Sequence, residues 1–458
     1  MTDSHEAPPE ADRFGGLAPG ALALLQGLTR DEVRKVDVHG HRSSTIEDTW
    51  ARVSPLLDRI GVTRVADITG LDRIGIPVYQ AIAPASNDII STYSGKGLSA
   101  GAARVSAVME ALERHCAGLP LDVAGVASVN EARAAGQTIL DPREGTTTVE
   151  DSYGDDSAVA WCAGYDISRD QEVLVAADAV AMAWPDPPVG DPVHTLLVSN
   201  GLASGNNLTE AAIHGLYEVV ERDAWTMAVA IGQVLSDTLA EFVPGGVDLD
   251  VLRPVEVETL PSRLREHVAR FAAEGVELQL FMVVSDIDVP TALAVSIEAG
   301  SPSPSHLGLG TDADPEIALG RAITEVAQSR AVDFAAGRED VTNADEQVPE
   351  WMLDTQRSAD TRPWSSSRKT ISFEQCRGYA SGDIAADLRA TVERLRAVGL
   401  DRVIVVDLTP PDFPFAVCRV IVPGAEAWGA DHNKVGDRLV EAWNTVVAEV
   451  AARQEKVA

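Results

Sequence analysis

The chain has 458 residues, of which 45% are hydrophobic and 23% are charged. This is the composition of an ordinary globular protein and not of a disordered one. Seventy acidic residues against 37 basic ones leave a formal net charge of -33. Because this charge opposes binding to the phosphate backbone of nucleic acid and to an anionic membrane surface, both are excluded as default partners.

The cysteines and the amino-terminal segment indicate where the chain works. The four cysteines form no C-x-x-C pair; they are Cys116, Cys162, Cys376 and Cys418. This spacing predicts neither a disulfide framework nor a zinc ribbon, so a cytoplasmic location is expected. Residues 1–20 are polar and carry no signal peptide, and we expect a disordered tail there. No apolar run approaches the ~20 residues that a membrane-spanning helix needs.

One pattern occurs three times along the chain: an amphipathic helix, a glycine, a β-rich run, a polar turn and a second β-rich run. The copies begin at Thr45, Pro261 and Ile384, and their glycines are Gly61, Gly275 and Gly399. The pattern predicts a helix packed on an antiparallel hairpin, with the glycine as the helix C-cap. A chance match of a common motif is the alternative. A proline before each second strand (Pro77, Pro290, Pro414) favours true repetition, and we expect an α+β fold.

Three longer helices are predicted between these hairpins. They cover Ser99–Cys116, Leu208–Ile231 and Pro315–Ala336, the last with proline in its first turn. The polar stretch 338–372, which contains two prolines and a serine run, is predicted to be a surface loop.

The first two long helices share an E-x-x-E-R motif. Its glutamates are Glu110 and Glu113 in the first copy, and Glu218 and Glu221 in the second. The i, i+3 spacing places each pair on one helix face, where it can hold a hard cation through oxygen. A single copy is usually a solvated face with a local ion pair. Two copies, each after a segment rich in small residues, favour a different interpretation. If the two glutamate pairs converge, their negative charges repel each other unless a cation lies between them, and magnesium is the expected cation.

Basic residues accompany these carboxylates. Lys96, Arg114, Arg222 and Arg330 are expected to face phosphate oxygens, so the residues predict an enzyme that uses a magnesium-nucleotide complex. The G-x-x-x-x-G-K-[ST] motif and the G-x-G-x-x-G motif are both absent, which excludes a P-loop and a classical dinucleotide fold.

Four long motifs together resemble the YcaO-domain family. They are SGKG-S...EALER, SNGLASGN...ERD, GLGTDADPEIALGRAITEVAQSR and DLTPPDFPFAVCRVIVPG, and the resemblance covers about residues 30–430. It implies a single YcaO domain over residues 21–458, with the loop at 338–372 inside it. It also implies an ATP site in which glutamates of the long helices bind magnesium ions that hold the triphosphate.

The resemblance also implies roles for individual residues. The implied magnesium ligands are Glu110, Glu113, Glu218 and Glu221, and the implied catalytic residues are Glu221 and Arg222. The implied nucleotide contacts are Arg42, Thr49, Lys96, Ser106, Asn206, Glu210, Arg222, Gln328 and Arg330.

Enzymes of this family act on ribosomally made precursor peptides. A nucleophile adds to a backbone amide carbonyl, ATP phosphorylates the resulting oxyanion, and phosphate leaves. This chain ends in a helical AWNTVVAEVAARQEKVA and lacks the proline-rich end of many azoline-forming members. The stretch GVTRVADITGLDRIGIPV resembles stand-alone or TfuA-associated members, which form thioamides or amidines, and these reactions are expected.

Several alternatives stay open at this point. The chain could be an azoline-forming cyclodehydratase, a generic phosphotransferase, or a nucleotide-binding accessory or regulatory protein without amide chemistry of its own. The expected partners are a precursor peptide and a TfuA-like or other protein, and a homodimer is left open.

Overall fold

The computed structural model describes residues 14–36, 41–144, 154–182, 199–243, 247, 249–299, 305–336, 369–427 and 435–455. Most of the predicted tail at 1–20 and most of the predicted loop at 338–372 lie outside these described residues. Both therefore stay predictions.

The described residues form ten α-helices and thirteen strands. The helices are α1 (Pro19–Gly27), α2 (Ile46–Val53), α3 (Ala100–Ala117), α4 (Val129–Ala134), α5 (Leu208–Val229), α6 (Ser236–Ala240), α7 (Ser262–Ala273), α8 (Pro315–Ala336), α9 (Ile384–Ala397) and α10 (Asp437–Glu455). The strands are β1 (Arg64–Asp67), β2 (Val78–Ile82), β3 (Thr92–Lys96), β4 (Gly125–Ala127), β5 (Val159–Asp166), β6 (Gln171–Ala176), β7 (Leu202–Gly205), β8 (Leu252–Pro254), β9 (Glu277–Val283), β10 (Thr291–Ile297), β11 (Ser305–Thr311), β12 (Ile404–Asp407) and β13 (Ala416–Ile421). The three long helices predicted from the sequence are confirmed as α3, α5 and α8. None of the described helices is both long enough and apolar enough to cross a membrane.

The chain divides into two compact units. Unit 1 comprises residues 1–33, 113–219 and 384–436, and unit 2 comprises residues 34–112, 220–383 and 437–458. The division falls within α3 and α5, so each of these helices contributes residues to both units. The single domain expected over residues 21–458 stays a prediction.

Unit 1 contains one antiparallel sheet. Its order is β4-β5-β12-β13-β7, and β6 pairs with β5 beside this path. Strands β5 and β13 are buried over nearly their whole length. Their nearly continuous apolar runs, VAWCAGYD and AVCRVI, are typical of strands covered on both faces.

Unit 2 contains two antiparallel sheets and the long helix α8. The sheets have the orders β1-β2-β3 and β11-β10-β9-β8. Helix α8 contacts strands of both sheets, and Ala318, Ala322, Ile323 and Val326 of this helix are fully buried. Full burial of a side chain the size of Ile323 or Val326 contributes about 1.5–3 kcal/mol. The packing of α8 therefore links the two sheets within unit 2.

The three helix-hairpin copies are confirmed. The hairpins are β1-β2, β9-β10 and β12-β13, and all are antiparallel. The glycines Gly61, Gly275 and Gly399 all adopt a positive φ, between 72° and 84°. In each copy the N–H after the glycine donates to the carbonyl five residues earlier: Val62 to Leu57, Val276 to Phe271 and Leu400 to Leu395. This pattern is the Schellman cap, which ends the helix and turns the chain into the hairpin.

Copies one and three also share a threonine in the hairpin turn. The Thr69 hydroxyl accepts a hydrogen bond from the Val78 N–H at 3.1 Å, and the Thr409 hydroxyl accepts one from the Val417 N–H at 3.0 Å. The N–H of each threonine donates to an aspartate two residues earlier. The identical bonds in two distant segments support structural repetition over a chance match.

A buried ion-pair network fixes unit 2 internally. The Arg330 guanidinium donates to Asp72 at 2.8 and 3.1 Å and to Glu298 at 2.9 Å. Arg73 donates to the other Glu298 oxygen at 2.6 Å. The Arg330 side chain is 1% exposed and that of Asp72 is 5% exposed. The pairing compensates the large cost of burying these charges.

We expect the substitution Gly275→Ala to lower the stability by about 1 kcal/mol, because an L residue is strained at this positive φ. The loss of stability does not come from a steric clash, since a Cβ at Gly275 would meet no atom within 4 Å. The matched control is Gly382→Ala, which also has open space but lies outside the left-handed region. Urea unfolding followed by circular dichroism checks this. Equal midpoints for the two variants would contradict the C-cap role.

We expect Glu298→Gln to destabilise the protein by about 2 kcal/mol near neutral pH, because it removes charge-assisted hydrogen bonds. Although burial raises the pKa of Glu298, the bonds from Arg330 and Arg73 hold it below its ordinary value of 4.5. The stability that the carboxylate contributes is therefore present above pH 4.5 and is lost as the pH falls through the lowered pKa. Unfolding midpoints of both proteins should converge in acid.

The control for this prediction is Glu449→Gln, because Glu449 forms an exposed pair with Arg453 at 3.6 Å. Exposed ion pairs of this kind contribute little to the free energy of unfolding. If the unfolding midpoints of Glu298→Gln and the wild-type protein differed by the same amount at every pH, the stabilising role of the Glu298 carboxylate would be refuted.

Candidate active site

The glycines before the long helices allow a very close approach of strand and helix. A Cβ on Gly95 of β3 would lie 2.0 Å from the Ala107 nitrogen of α3. In unit 1, a Cβ on Gly205 would lie 2.5 Å from the nitrogen of Ala211. On β11, a Cβ on Gly308 would lie 2.3 Å from the Ala322 oxygen of α8. Because no side chain fits at these three positions, the glycines set the helix positions, and with them the acidic faces.

Three candidate residues of unit 2 lie together although they are far apart in sequence. Lys96 at the end of β3 forms an ion pair with Glu325 of α8. Glu221 of α5 is 3% exposed, and its pKa depends on both of these side chains. One of its carboxylate oxygens, Oε2, is buried without a hydrogen-bond partner among the described residues. The sequence analysis predicted Lys96 and Glu221 as site residues, and the structure adds Glu325.

The electrostatics of this cluster differ between its two carboxylates. Burial and the neighbouring charge of Glu325 raise the pKa of Glu221, against the opposing effect of nearby arginines. Burial also acts to raise the pKa of Glu325, but the Lys96 ammonium holds it below the usual range. Lys96 thus neutralises Glu325 directly. Glu221 keeps one carboxylate oxygen that a bound cation could contact.

This donor set fits a magnesium ion. An unpartnered buried carboxylate oxygen is the type of ligand that Mg2+ takes in combination with substrate phosphates. Arg222 and Arg321 also lie close enough to influence the pKa values of both Glu221 and Glu325. With Lys96, the cluster has three cationic groups around two carboxylates, which suits a polyphosphate carried by the metal.

Other predicted residues of unit 2 have structural contacts. The Gln328 side chain donates to the Ser94 carbonyl at 3.1 Å and so connects α8 to β3. The buried Thr49 donates its hydroxyl to the Thr45 carbonyl at 2.8 Å. The main-chain carbonyl of Arg42 accepts from Val36 at 3.0 Å. Ser106 lies half-buried on α3. Their predicted contacts with a nucleotide stay predictions.

Arg330 has the most extensive structural contacts of the predicted nucleotide residues. Its bonds to Asp72 and Glu298 account for its burial without any phosphate. The sequence placed it in a basic set because of its position on α8, and that position alone could not reveal its carboxylate partners. The structure therefore offers a stabilising role as an alternative to the predicted phosphate contact.

In unit 1 the structure brings Glu113 and Glu218 into the field of the same arginine. Burial lowers the pKa of Arg419 to about 10, and Glu218 and Glu113 oppose that shift. The guanidinium is 2% exposed and donates to the carbonyls of Asn200 at 2.9 Å and Val180 at 3.2 Å. One glutamate from each motif thus lies near a fixed buried cation.

Two further candidates of unit 1, Asn206 and Glu210, are hydrogen-bonded to each other. The Asn206 side-chain amide donates to the Glu210 carboxylate at 2.9 Å, and the Glu210 N–H donates to the Asn207 side-chain oxygen at 2.9 Å. Glu210 is 1% exposed. These bonds cap the start of α5 and fix the orientation of the Asn206 amide.

The four motif glutamates are divided between the two units: Glu110 and Glu221 belong to unit 2, and Glu113 and Glu218 belong to unit 1. Glu110 lies half-buried on α3 in unit 2. Over the described ranges, no three His, Cys, Asp or Glu side chains are grouped as metal ligands. The convergence of Glu110, Glu113, Glu218 and Glu221 around magnesium stays a prediction.

Sequence reasoning missed Arg419, Arg321 and the pairing role of Glu325. Arg419 carries a usable signal, because it is the one charged residue within the apolar strand AVCRVI. A buried charge in such a strand needs a partner or a function. Glu325 and Arg321 lie four residues apart on α8 and have no comparable local signal.

Comparisons with known proteins identify the family of the chain. The sequence profile of YcaO cyclodehydratases, described as binding ATP and Mg2+, matches residues 94–426. An uncharacterized protein of Methanothermobacter thermautotrophicus is 37% identical over 391 residues, which cover 84% of this chain and 94% of that protein. A protein encoded in the region 3' of tfuA in Rhizobium leguminosarum bv. trifolii is 33% identical over 416 residues, which cover 88% of this chain and 93% of that protein.

A solved structure is similar over nearly the same length. It is the YcaO protein of Methanopyrus kandleri bound with AMPPCP and Mg2+, with a TM-score of 0.65 and 25% identity. The similarity covers 89% of this chain and 98% of that one. Together with the profile match over most of the chain, this shows that the protein belongs to the YcaO family of ATP- and Mg2+-binding proteins.

Proposed function

We propose that the protein is an ATP- and Mg2+-dependent enzyme that activates a backbone amide of a ribosomally made precursor peptide and forms a thioamide or an amidine. The observation that carries the proposal is the unpartnered oxygen of Glu221, buried beside the Lys96–Glu325 pair. Family membership and the similar YcaO structure bound with AMPPCP and Mg2+ support the cofactors.

The proposed reaction exchanges the amide oxygen. A nucleophile, sulfide for a thioamide or an amine for an amidine, adds to the amide carbonyl. Bound Mg-ATP supplies the phosphoryl group that turns the amide oxygen into a leaving group. The oxygen leaves as part of inorganic phosphate, and ADP is the second product.

The residues of the chain bind and orient the reactants in this proposal. Glu221 offers its free oxygen to the metal, and Lys96, held by Glu325, presents a positive charge toward phosphate oxygens. Arg222 stabilises the negative charge that develops during phosphoryl transfer. Because Glu221 is buried, water competes poorly for this position, which strengthens each of these interactions.

We further propose a TfuA-like partner and a cytoplasmic location. The relative encoded 3' of tfuA supports the partner. The four cysteines are free thiols, which suits a reducing compartment. The choice of thioamide or amidine over azoline rests on the resemblance to stand-alone or TfuA-associated members, and the position of that relative's gene 3' of tfuA supports the resemblance.

The function is tested by mass spectrometry of a candidate peptide after incubation with the enzyme, ATP, Mg2+ and a TfuA-like partner. A mass gain equal to the exchange of sulfur for oxygen, dependent on added sulfide, identifies a thioamide. Loss of one water, with fragmentation showing a ring closed through an amine, identifies an amidine. Loss of water at Cys, Ser or Thr identifies an azoline and overturns the proposed subtype. ATP binding without any modified peptide would favour the accessory role.

We expect Glu221→Gln to weaken magnesium-dependent nucleotide binding about tenfold or more, because a neutral amide is a poorer ligand than a carboxylate. Calorimetry with AMPPCP in Mg2+ measures the change. The matched control is Glu241→Gln, at an exposed glutamate after α6. Equal affinities for both variants would remove Glu221 from the site.

We expect Arg222→Ala to lower kcat by about a hundredfold or more, because it removes a charge that acts in phosphoryl transfer. Arg265→Ala, at an exposed arginine of α7, is the control and should leave kcat unchanged. Circular dichroism verifies the fold of both variants. Unchanged single-turnover modification by folded Arg222→Ala would refute its catalytic role.

A further inference from the structure

Helix α10 is not used by the proposed function, although it is anchored in unit 2. Its first turn contains the buried Leu439, which is 4% exposed, and its later part contains Val450, which is 7% exposed. Directly before Leu439 lies Arg438, with only 14% of its side chain exposed. A nearly buried arginine at the start of a docked helix requires carboxylate partners.

Arg438 binds two aspartates at once. Its Nε donates to Asp223 Oδ1 at 3.2 Å, and its Nη2 donates to Asp223 Oδ2 at 3.2 Å. Its Nη1 donates to Asp286 Oδ2 at 2.8 Å, and Nη2 also contacts the other Asp286 oxygen. Asp223 is fully buried on α5, whereas Asp286 is 56% exposed in the turn between β9 and β10. The guanidinium thus connects α10, α5 and the second hairpin.

Asp223 directly follows the two candidate catalytic residues in the sequence. Glu221 and Arg222 occupy the same turn of α5, and the helical backbone transmits any displacement of Asp223 to both. A side-on bidentate arginine defines the direction of its carboxylate partner more strictly than a lysine does. The contact therefore fixes the orientation of the helical turn that carries the catalytic pair.

The part of α5 that follows Asp223 also packs against the β8–β11 sheet. Ala224 and Ala228 lie against apolar residues of that sheet, including Phe281 and Leu293. Apolar packing has no preferred direction. The bonds from Arg438 to Asp223 therefore add a directional restraint to this packing.

We propose that Arg438 is a positioning residue for the reaction, and that α10 sets the orientation of Glu221 and Arg222 through Asp223. This inference rests on the proposed function. It assigns the carboxy-terminal helix a role in the chemistry that is separate from its contribution to stability.

The test compares three variants of the full chain by kcat, by KM for ATP and by the affinity for AMPPCP in Mg2+. Arg438→Lys keeps the charge but loses the bidentate geometry, and we expect kcat to fall by about a hundredfold, as for a small misplacement of catalytic groups. Asp286→Asn leaves the pair with Asp223 in place and should have a much smaller effect. Arg453→Gln, on the same helix but 71% exposed, is the control and should match the wild-type protein.

Stability is measured in parallel, because Arg438→Lys also removes hydrogen bonds. A loss of kcat in a protein that is fully folded at the assay temperature supports positioning. Wild-type kcat in Arg438→Lys, or a loss that follows only the unfolded fraction, overturns it. If the wild-type protein modifies no peptide, the proposed function fails separately. The AMPPCP affinity then decides, since weakened binding in folded Arg438→Lys supports positioning and unchanged binding overturns it.

Discussion

The need to compensate the buried carboxylate of Glu221 is the constraint on which the candidate site depends. Lys96 can neutralise only one carboxylate directly, and it is paired with Glu325. Burial beside that pair raises the pKa of Glu221 and leaves one of its oxygens without a hydrogen-bond partner. A protein that keeps such a group needs either a proton or a cation at that position. Magnesium bound at Glu221, as proposed, would supply the cation.

Glycines in β3 and β11 hold this cluster in place, because they have no side chain to keep strand and helix apart. Gly95 and Gly308 bring their strands against the backbones of α3 and α8, closer than any Cβ would allow. Lys96 follows Gly95 on β3, and Glu325 is one residue before the contact of Gly308 with Val326. The two charged residues meet because the glycines beside them fix both helices against their strands. A side chain at Gly95 would push β3 away from α3, and one at Gly308 would also meet the Cβ of Glu325 at 2.9 Å.

Local signals made the helices, the hairpins and their glycine caps predictable from the sequence. Gly275, for example, follows an amphipathic helix and precedes a β-rich run, and it adopts the positive φ that a C-cap requires. The partners of Arg330 were not predictable, because Asp72 lies 258 residues away and nothing in its sequence neighbourhood marks it. The division of α3 and α5 between two units was equally hidden, because the periodicity of a helix carries no information on which neighbours its two halves meet. For the same reason the motif glutamates could be identified, but their joint geometry could not.

The basic groups around Glu221 suit a nucleotide that carries its own metal ion. Lys96, Arg222 and Arg321 all act to lower the pKa values of Glu221 and Glu325. Cationic side chains attract the net negative complex of magnesium with a triphosphate, and a carboxylate beside them can bind the metal of that complex. The protein as a whole carries a formal charge of -33, and this overall charge opposes binding of polyanions elsewhere on its surface. A strongly acidic protein can therefore bind ATP where basic side chains gather, without a general affinity for polyanions.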